Sequence, residues 1–146
     1  MRRALTELYL HCVWATWDRL PLIAPDIEVR LYACIESKCR ELGCEVLAIG
    51  GIADHVHLLL SFPATLEIAK LVKDVKGASS HLITHELTPG IFFKWQGAYG
   101  AFTVSKNAAS KVAAYINNQK AHHQANQLRE DWELSSSIIQ EPTNLA

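Results

Sequence analysis

The spacing of hydrophobic residues in the first part of the chain predicts one strand, one helix and then two further strands. Residues 7–16 are rich in β-branched and aromatic side chains that partly alternate with polar ones, which is typical of a half-buried strand. Apolar residues then recur at helical spacing over residues 26–42, after a proline-containing loop. Residues 44–52 and 55–62 are two more apolar runs, and the short turn between them indicates an antiparallel pair.

The second part of the chain predicts a helix, a strand and a long final helix. An apolar stripe covers residues 65–84, the aromatic segment 91–105 favours a loop and a fourth strand, and residues 107–128 return to helical spacing. The order β-α-β-β-α-β is that of the split βαβ, or ferredoxin-like, arrangement. We therefore expect an α+β fold in which a four-stranded antiparallel sheet carries two helices on one face, with an extra C-terminal helix. Residues 1–128 are predicted to form this single domain and residues 129–146 a polar C-terminal tail.

Composition is that of one ordinary soluble domain. Of its 146 residues 49% are hydrophobic and 20% charged, and no apolar run approaches the roughly 20 residues of a membrane span. We therefore expect a cytoplasmic protein with no membrane partner. The net charge of −1 at first argues against a nucleic-acid partner. The tail from Arg129 holds four of the acids and one base, however, which leaves a weakly basic body that is compatible with DNA binding.

The cysteines and one pair of histidines are residue types that bind metals, but their spacing along the chain gives little support for a metal site. The four cysteines are Cys12, Cys34, Cys39 and Cys44. They include no CxxC pair, and although the last three follow one another at steps of five, no tetrahedral zinc spacing fits, so we interpret them as small buried or idle thiols. His81 and His85 have the i, i+4 spacing of metal ligands on a helix, but the sequence offers no third ligand, so we interpret them as structural.

The stretch ADHVHLLLSF, residues 53–62, places two histidines one residue apart at the start of a strand. Because strand side chains alternate between faces, His55 and His57 share one face, while the neighbouring Val56 and Leu58 point to the other. The apolar set is the better core for packing under the two helices. We therefore expect the histidines on the open face of the sheet, where one metal ion could bind both rings. The alternative is a pair of solvated polar residues.

The last predicted helix contains a tyrosine and a glutamine one turn apart. On a helix Tyr115, Asn118, Gln119 and His122 project from one side. Phenol is a poor nucleophile at its reference pKa near 10, but it can attack phosphorus if a metal ion polarises the phosphate oxygens. The alternative for this tyrosine is core packing. The adjacent His122 and His123 point in different directions, so they cannot chelate a metal as a local pair.

Four segments together resemble a known family. They are GGIADHVHLLLSF, LVKDVKGASS, WQGAYGAFTVS and YINNQKAHH, in this order and spacing. The chain resembles the single-tyrosine HUH transposases of bacterial insertion sequences, including the tyrosine transposases associated with repetitive extragenic palindromes (REP). HUH stands for His, hydrophobic residue, His, which corresponds here to His55, Val56 and His57. The likeness extends from residue 7 to about residue 125, whereas the chain diverges from Asn126 onward.

The resemblance implies a role for each matching residue. His55 and His57 would coordinate a divalent metal ion, Mg²⁺ or Mn²⁺, and Gln119 would complete the protein ligands. Tyr115, on the extra C-terminal helix, would be the catalytic nucleophile that forms a 5′-phosphotyrosine intermediate. The substrate would be single-stranded DNA with hairpins near the ends of the element. The protein would be a homodimer, in which the tyrosine helix of one subunit can complete the HUH site of the other.

Two alternative functions stay open from the sequence. One is a domesticated relative that nicks or binds palindromic DNA repeats outside a mobile element. The other is a catalytically silent ferredoxin-like module that binds a metal or a partner. For DNA contacts the candidates are basic and aromatic residues, namely Lys70, Lys73, Lys76, Lys94, Lys106, Lys111, Trp95 and Tyr99.

Overall fold

The computed structural model describes residues 4–124 of the chain. Its strands and helices follow in the order β1 (Tyr9–Ala15), α1 (Pro25–Glu41), β2 (Glu45–Ile52), β3 (His55–Ser61), α2 (Ile68–Leu82), β4 (Gly100–Val104), α3 (Ala109–Asn117) and α4 (Gln119–Gln124). A short 3₁₀ turn, Trp17–Arg19, follows β1, and a π-helical turn, Ile83–Leu87, extends α2.

The four strands form one antiparallel sheet in the order β2-β3-β1-β4. Strands β1 and β3 lie at the centre, with Val13 opposite His57 and Cys12 opposite Leu58. Nearly every residue of both central strands is buried, because helices cover the sheet on both faces. The predicted α+β, ferredoxin-like architecture is confirmed.

One face of the sheet packs against α1 and α2. Its core consists of alternate residues of the central strands and the apolar stripes of both helices, including Leu10, Cys12, Trp14, Val56, Leu58, Leu60, Leu31, Ile35, Leu71 and Val75. This face holds the residues that alternation assigned to the core. The cysteines agree with the interpretation as small buried or idle thiols, since all four are free, three are buried and Cys34 is partly buried. Burial raises the pKa of Cys12 to about 12.

The other face of the sheet is covered by α3. Val112 and Ile116 of this helix pack on Leu59 and Ala48 of the sheet. The helix approaches β2 very closely at Gly50, where an added Cβ would lie 2.2 Å from the carbonyl oxygen of Ile116. The expectation of an open second face is therefore wrong: the extra C-terminal helix returns to its own sheet and closes that face.

Two predicted helices have different boundaries in the structure. The helix expected over residues 65–84 begins at Ile68. The helix expected over residues 107–128 is divided at Asn118, whose φ of −108° and ψ of 23° interrupt the helical path between α3 and α4. Its continuation beyond Gln124 and the tail predicted over residues 129–146 lie outside the described residues. None of the helices between residues 4 and 124 has the length and apolar character needed to cross a bilayer.

Candidate metal and nucleophile site

His55 and His57 lie on the sheet face opposite α1 and α2, as alternation predicted, but they are not at the surface. Their exposed fractions are 3% and 0%. The apolar contacts of α3 with the sheet place α3 and α4 over both rings, so the prediction that the histidines are accessible on an open face is wrong.

His55 is oriented by a carboxylate at the turn before β3. Its Nδ1 lies 2.8 Å from Oδ1 of Asp54, and Arg19 reaches the two oxygens of Asp54 at 3.2 and 3.3 Å. Burial acts to raise the pKa of Asp54, but hydrogen bonds with His55 and Arg19 outweigh it and lower that pKa to about 2. In neutral His55, Nδ1–H donates to this carboxylate and leaves the Nε2 lone pair directed away from it.

Arg19 reaches Asp54 from an unusual backbone conformation. Asp18 and Arg19 have φ values of 53° and 52°, in the left-handed region that non-glycine residues seldom occupy. Such conformations cost of order 1 kcal/mol or more each and persist only where surrounding contacts hold them. The bidentate contact with Asp54 is one such contact, so the strained turn and the orientation of His55 are linked.

His57 is held by a histidine that the sequence reasoning did not single out. His11 on β1 is fully buried, its Nε2 lies 2.8 Å from Nδ1 of His57, and the two rings stack at 5.1 Å. If Nδ1–H of His57 is the donor, its Nε2 lone pair is available to a metal. The sequence did contain a signal for His11 in the alternation along β1. Leu10 and Cys12 point to the face covered by α1 and α2, so His11, between them, points to the opposite face, where His57 also lies.

Gln119, the first residue of α4, is brought to His55 as predicted. Its side chain is 1% exposed, and Oε1 lies 3.2 Å from Nε2 of His55. His123 joins them: its Nε2 is 3.0 Å from Oε1 of Gln119 and 3.3 Å from Nε2 of His55. The sequence reasoning dismissed His123 as a partner of His122, but its i, i+4 spacing from Gln119 was a usable signal.

Tyr115 lies on α3 beside the histidines of its own chain. Its ring centroid is 6.0 Å from that of His57, in an edge-on arrangement, and His122 stacks on it at 4.7 Å. The tyrosine is 5% exposed, but it belongs to neither apolar cluster of the core. Of the residues predicted to share its side of the helix, Asn118 is exposed and bonds back to the carbonyl of Ala114.

The donor types at this site fit a divalent cation. Mg²⁺ prefers oxygen ligands, whereas the transition-metal ion Mn²⁺ accepts neutral imidazole nitrogens more readily beside an amide oxygen. Within residues 4–124, no three His, Cys, Asp or Glu side chains already stand together as a metal-binding group. The arrangement therefore combines imidazoles with the amide of Gln119, and the ring centroids of His55 and His57 lie 5.0 Å apart.

Two of the residues considered for DNA contacts make structural contacts within the chain. Lys76 donates to the carbonyls of Gln96 and Ala98, at 2.6 and 3.1 Å, and burial lowers its pKa to about 8. Trp95 is buried against the core, and its indole nitrogen donates to Ser79 Oγ at 3.0 Å. These contacts fix the segment before β4 on α2.

Sequence comparisons relate the chain to transposases. The family model described as "Transposase IS200 like" matches residues 4–119. The chain is 28% identical over 120 residues to the ISDra2 transposase TnpA of Deinococcus radiodurans, covering 77% of this chain and 84% of that protein. It is also 28% identical over 115 residues to the transposase for insertion sequence element IS200 of Salmonella typhimurium, covering 75% of this chain and 74% of that one.

Structural comparison agrees. A crystal structure of a Deinococcus radiodurans R1 protein assigned as a transposase superposes with a TM-score of 0.62 at 27% identity, covering 82% of this chain and 95% of that one. A REP-associated tyrosine transposase bound to a REP hairpin superposes with a TM-score of 0.64 over 84% of this chain and 73% of that one. At 15% identity, this second likeness shows the fold alone. Because the family model matches most of its length, the chain belongs to the IS200-like transposase family.

Proposed function

We propose that this transposase cleaves and rejoins single-stranded DNA through a covalent bond to Tyr115, with Mg²⁺ or Mn²⁺ held by His55, His57 and Gln119. The observation that carries the proposal is the position of the phenol ring 6.0 Å from the ring of His57, on the same side of the sheet as His55 and Gln119. A nucleophile and neutral metal ligands are thus supplied by adjacent elements of one chain.

The proposed reaction exchanges one phosphodiester for another. The Tyr115 oxygen forms a bond to phosphorus and loses its proton to solvent. The bond from phosphorus to the 3′ oxygen breaks, and that oxygen takes a proton from solvent and leaves as a hydroxyl. The divalent ion, when bound, polarises the phosphate oxygens and stabilises the charge that develops on them. We propose that Asp54 and His11 each accept a hydrogen bond from Nδ1–H of one ring, which selects the tautomer that presents Nε2. Because a phosphate ester is conserved, a 3′ hydroxyl can reverse the step and rejoin the strand.

Tyr115 must reach the substrate although it is nearly buried. Its described ring contacts are with His57 on the sheet and with His122 on α4, rather than with the apolar clusters. His122 stands one residue before His123 on a six-residue helix. Because His122 stacks on the phenol ring, we infer that a rotation of the His122 side chain helps to uncover that face of Tyr115.

The proposal extends to the substrate and to the assembly. We propose single-stranded DNA with hairpins as the substrate and a homodimer as the active form. A related fold is described in complex with a REP hairpin, which supports hairpin recognition. Since Tyr115 lies beside His57 of its own chain, we expect each subunit to use its own tyrosine. Mixing Tyr115→Phe protein with His57→Ala protein should then restore no cleavage, whereas restored cleavage would indicate exchange of the helices between subunits.

Covalent capture tests the chemistry. We expect the protein, incubated with Mn²⁺ and hairpin-containing single-stranded DNA from the flanks of its gene, to give a protein–DNA adduct on a denaturing gel. Tyr115→Phe should abolish the adduct, because the phenol oxygen forms the bond. A matched control is Tyr32→Phe, since the Tyr32 hydroxyl is buried without a hydrogen-bond partner in the described part of the chain and its removal should leave the fold intact.

The outcomes separate the candidate functions. An adduct that persists in Tyr115→Phe would exclude this tyrosine as the nucleophile. No adduct with any flanking strand, from a protein that is folded and binds Mn²⁺, would favour the silent metal-binding module. An adduct with hairpins that flank no mobile element would favour the domesticated relative.

A further inference from the structure

We propose that His123 is an additional protein ligand of the divalent ion and shares one side of its coordination sphere with His55 and Gln119. This inference rests on the proposed function, because it concerns the same cation. It goes beyond the set of His55, His57 and Gln119, since it assigns a task to a histidine on the short helix α4 that is separate from the stacking of its neighbour His122 on Tyr115.

The distances among three atoms carry the proposal. Nε2 of His55, Oε1 of Gln119 and Nε2 of His123 form a triangle with sides of 3.0, 3.2 and 3.3 Å. Protein ligands lie about 2.0–2.2 Å from divalent ions of this kind. Two such ligands are therefore separated by about 3.0 Å at right angles and by about 3.4 Å at the tetrahedral angle. The triangle has the dimensions of one face of a coordination polyhedron.

The chemistry of the three atoms agrees with their geometry. In neutral His55, Asp54 accepts a hydrogen bond from Nδ1–H, so Nε2 presents a lone pair to the amide oxygen of Gln119. Gln119 turns its oxygen toward both rings, while its Nε2 is buried without a hydrogen-bond partner among residues 4–124. When Nε2 of His123 carries no proton, three atoms with lone pairs face one another, and they repel unless a cation lies between them. A cation at this triangle satisfies all three atoms at once.

The fold holds His123 in place for this task. Gln119 and His123 are one turn apart and therefore lie on the same side of α4. Lys120 on that helix binds Glu28 of α1 at 2.6 Å, which fixes the rotation of α4 about its axis. His123 is partly buried, with its ring 4.9 Å from that of His55. The ring is therefore held toward His55 rather than free to sample solvent.

Metal binding tests the proposal without reference to DNA cleavage. The measurements are Mn²⁺ titration calorimetry and pulsed electron paramagnetic resonance, which counts the imidazole nitrogens coupled to the ion. We expect His123→Ala to weaken Mn²⁺ binding about 10- to 100-fold and to remove one imidazole coupling. His85→Ala is the matched control. It removes a histidine that stacks on His81 at the end of α2, far along the chain from α4, and should change neither quantity.

The results distinguish failure of this inference from failure of the proposed function. If the whole protein binds no Mn²⁺, or binds it equally well after His55→Ala, both are overturned. If His55→Ala abolishes binding while His123→Ala leaves affinity and coupling number unchanged, only the role of His123 is overturned. Should His123→Ala fail to fold by circular dichroism, His123→Phe, which keeps a ring in the same position, replaces it in the same comparison.

Discussion

The close approach of α3 to β2 at Gly50 offers the sharpest test of how the fold positions the site. Ile116 follows Tyr115 directly, and its carbonyl oxygen would lie 2.2 Å from a Cβ at position 50. The obstructing atom belongs to the backbone, so rotation of a side chain cannot relieve the clash. Gly50→Ala must therefore displace α3, β2 or both.

The expected size of the effect follows from the contact distance. Real Cβ contacts are essentially never shorter than 3.0 Å, so the substitution demands a shift of at least 0.8 Å. Overpacking of this kind costs roughly 1–3 kcal/mol in free energy of unfolding. A displacement of about 1 Å at a catalytic group can also cost about 100-fold in rate. We therefore expect Gly50→Ala to lower stability by about 1–3 kcal/mol and adduct formation by about 100-fold.

Urea denaturation and the rate of adduct formation measure these two effects. The matched control is Gly77→Ala, in the interior of α2, where an added Cβ meets nothing within 4 Å. It should raise stability by roughly 0.5–1 kcal/mol, because alanine is the better helix former, and it should leave the adduct rate unchanged. A Gly50→Ala protein as stable and as active as the unmodified protein would refute the placement of α3 against β2.

Two further predictions concern the first face of the sheet. Leu58→Ala should lower the free energy of unfolding by about 2–5 kcal/mol, because Leu58 is only 1% exposed. The control Leu47→Ala removes a side chain that is 38% exposed and should lower it by less than about 1 kcal/mol. Equal losses for the two variants in urea denaturation would contradict the assigned faces. Burial lowers the pKa of Lys76 from 10.5 to about 8, so between these pH values the unfolded chain binds more protons and stability should rise with pH. Between pH 8 and 10 the free energy of unfolding of Lys76→Met should therefore rise by about 1–3 kcal/mol less than that of the unmodified protein. The same pH dependence in both proteins would exclude a buried amine at position 76.

Local patterns in the sequence determined much of this protein. Alternation along β3 placed His55 and His57 on one face and Leu58 on the other, because strand side chains must alternate. Helical spacing put Tyr115 and Gln119 one turn apart, and both lie beside the histidines. The order of strands and helices was sufficient to predict the architecture, since few topologies accommodate it.

Only the tertiary structure decided what surrounds these residues. Periodicity states which side chains share a face, but it does not state which element will cover that face. The contact of Gly50 with Ile116 brings α3 and α4 over the sheet, and this buries both histidines. The same long-range packing unites His11 and His123 with them, from segments more than 40 residues distant on either side of the pair. Local spacing assigns His11 to a face of β1 and His123 to a side of α4, but only the packing of distant segments brings them to His57 and His55.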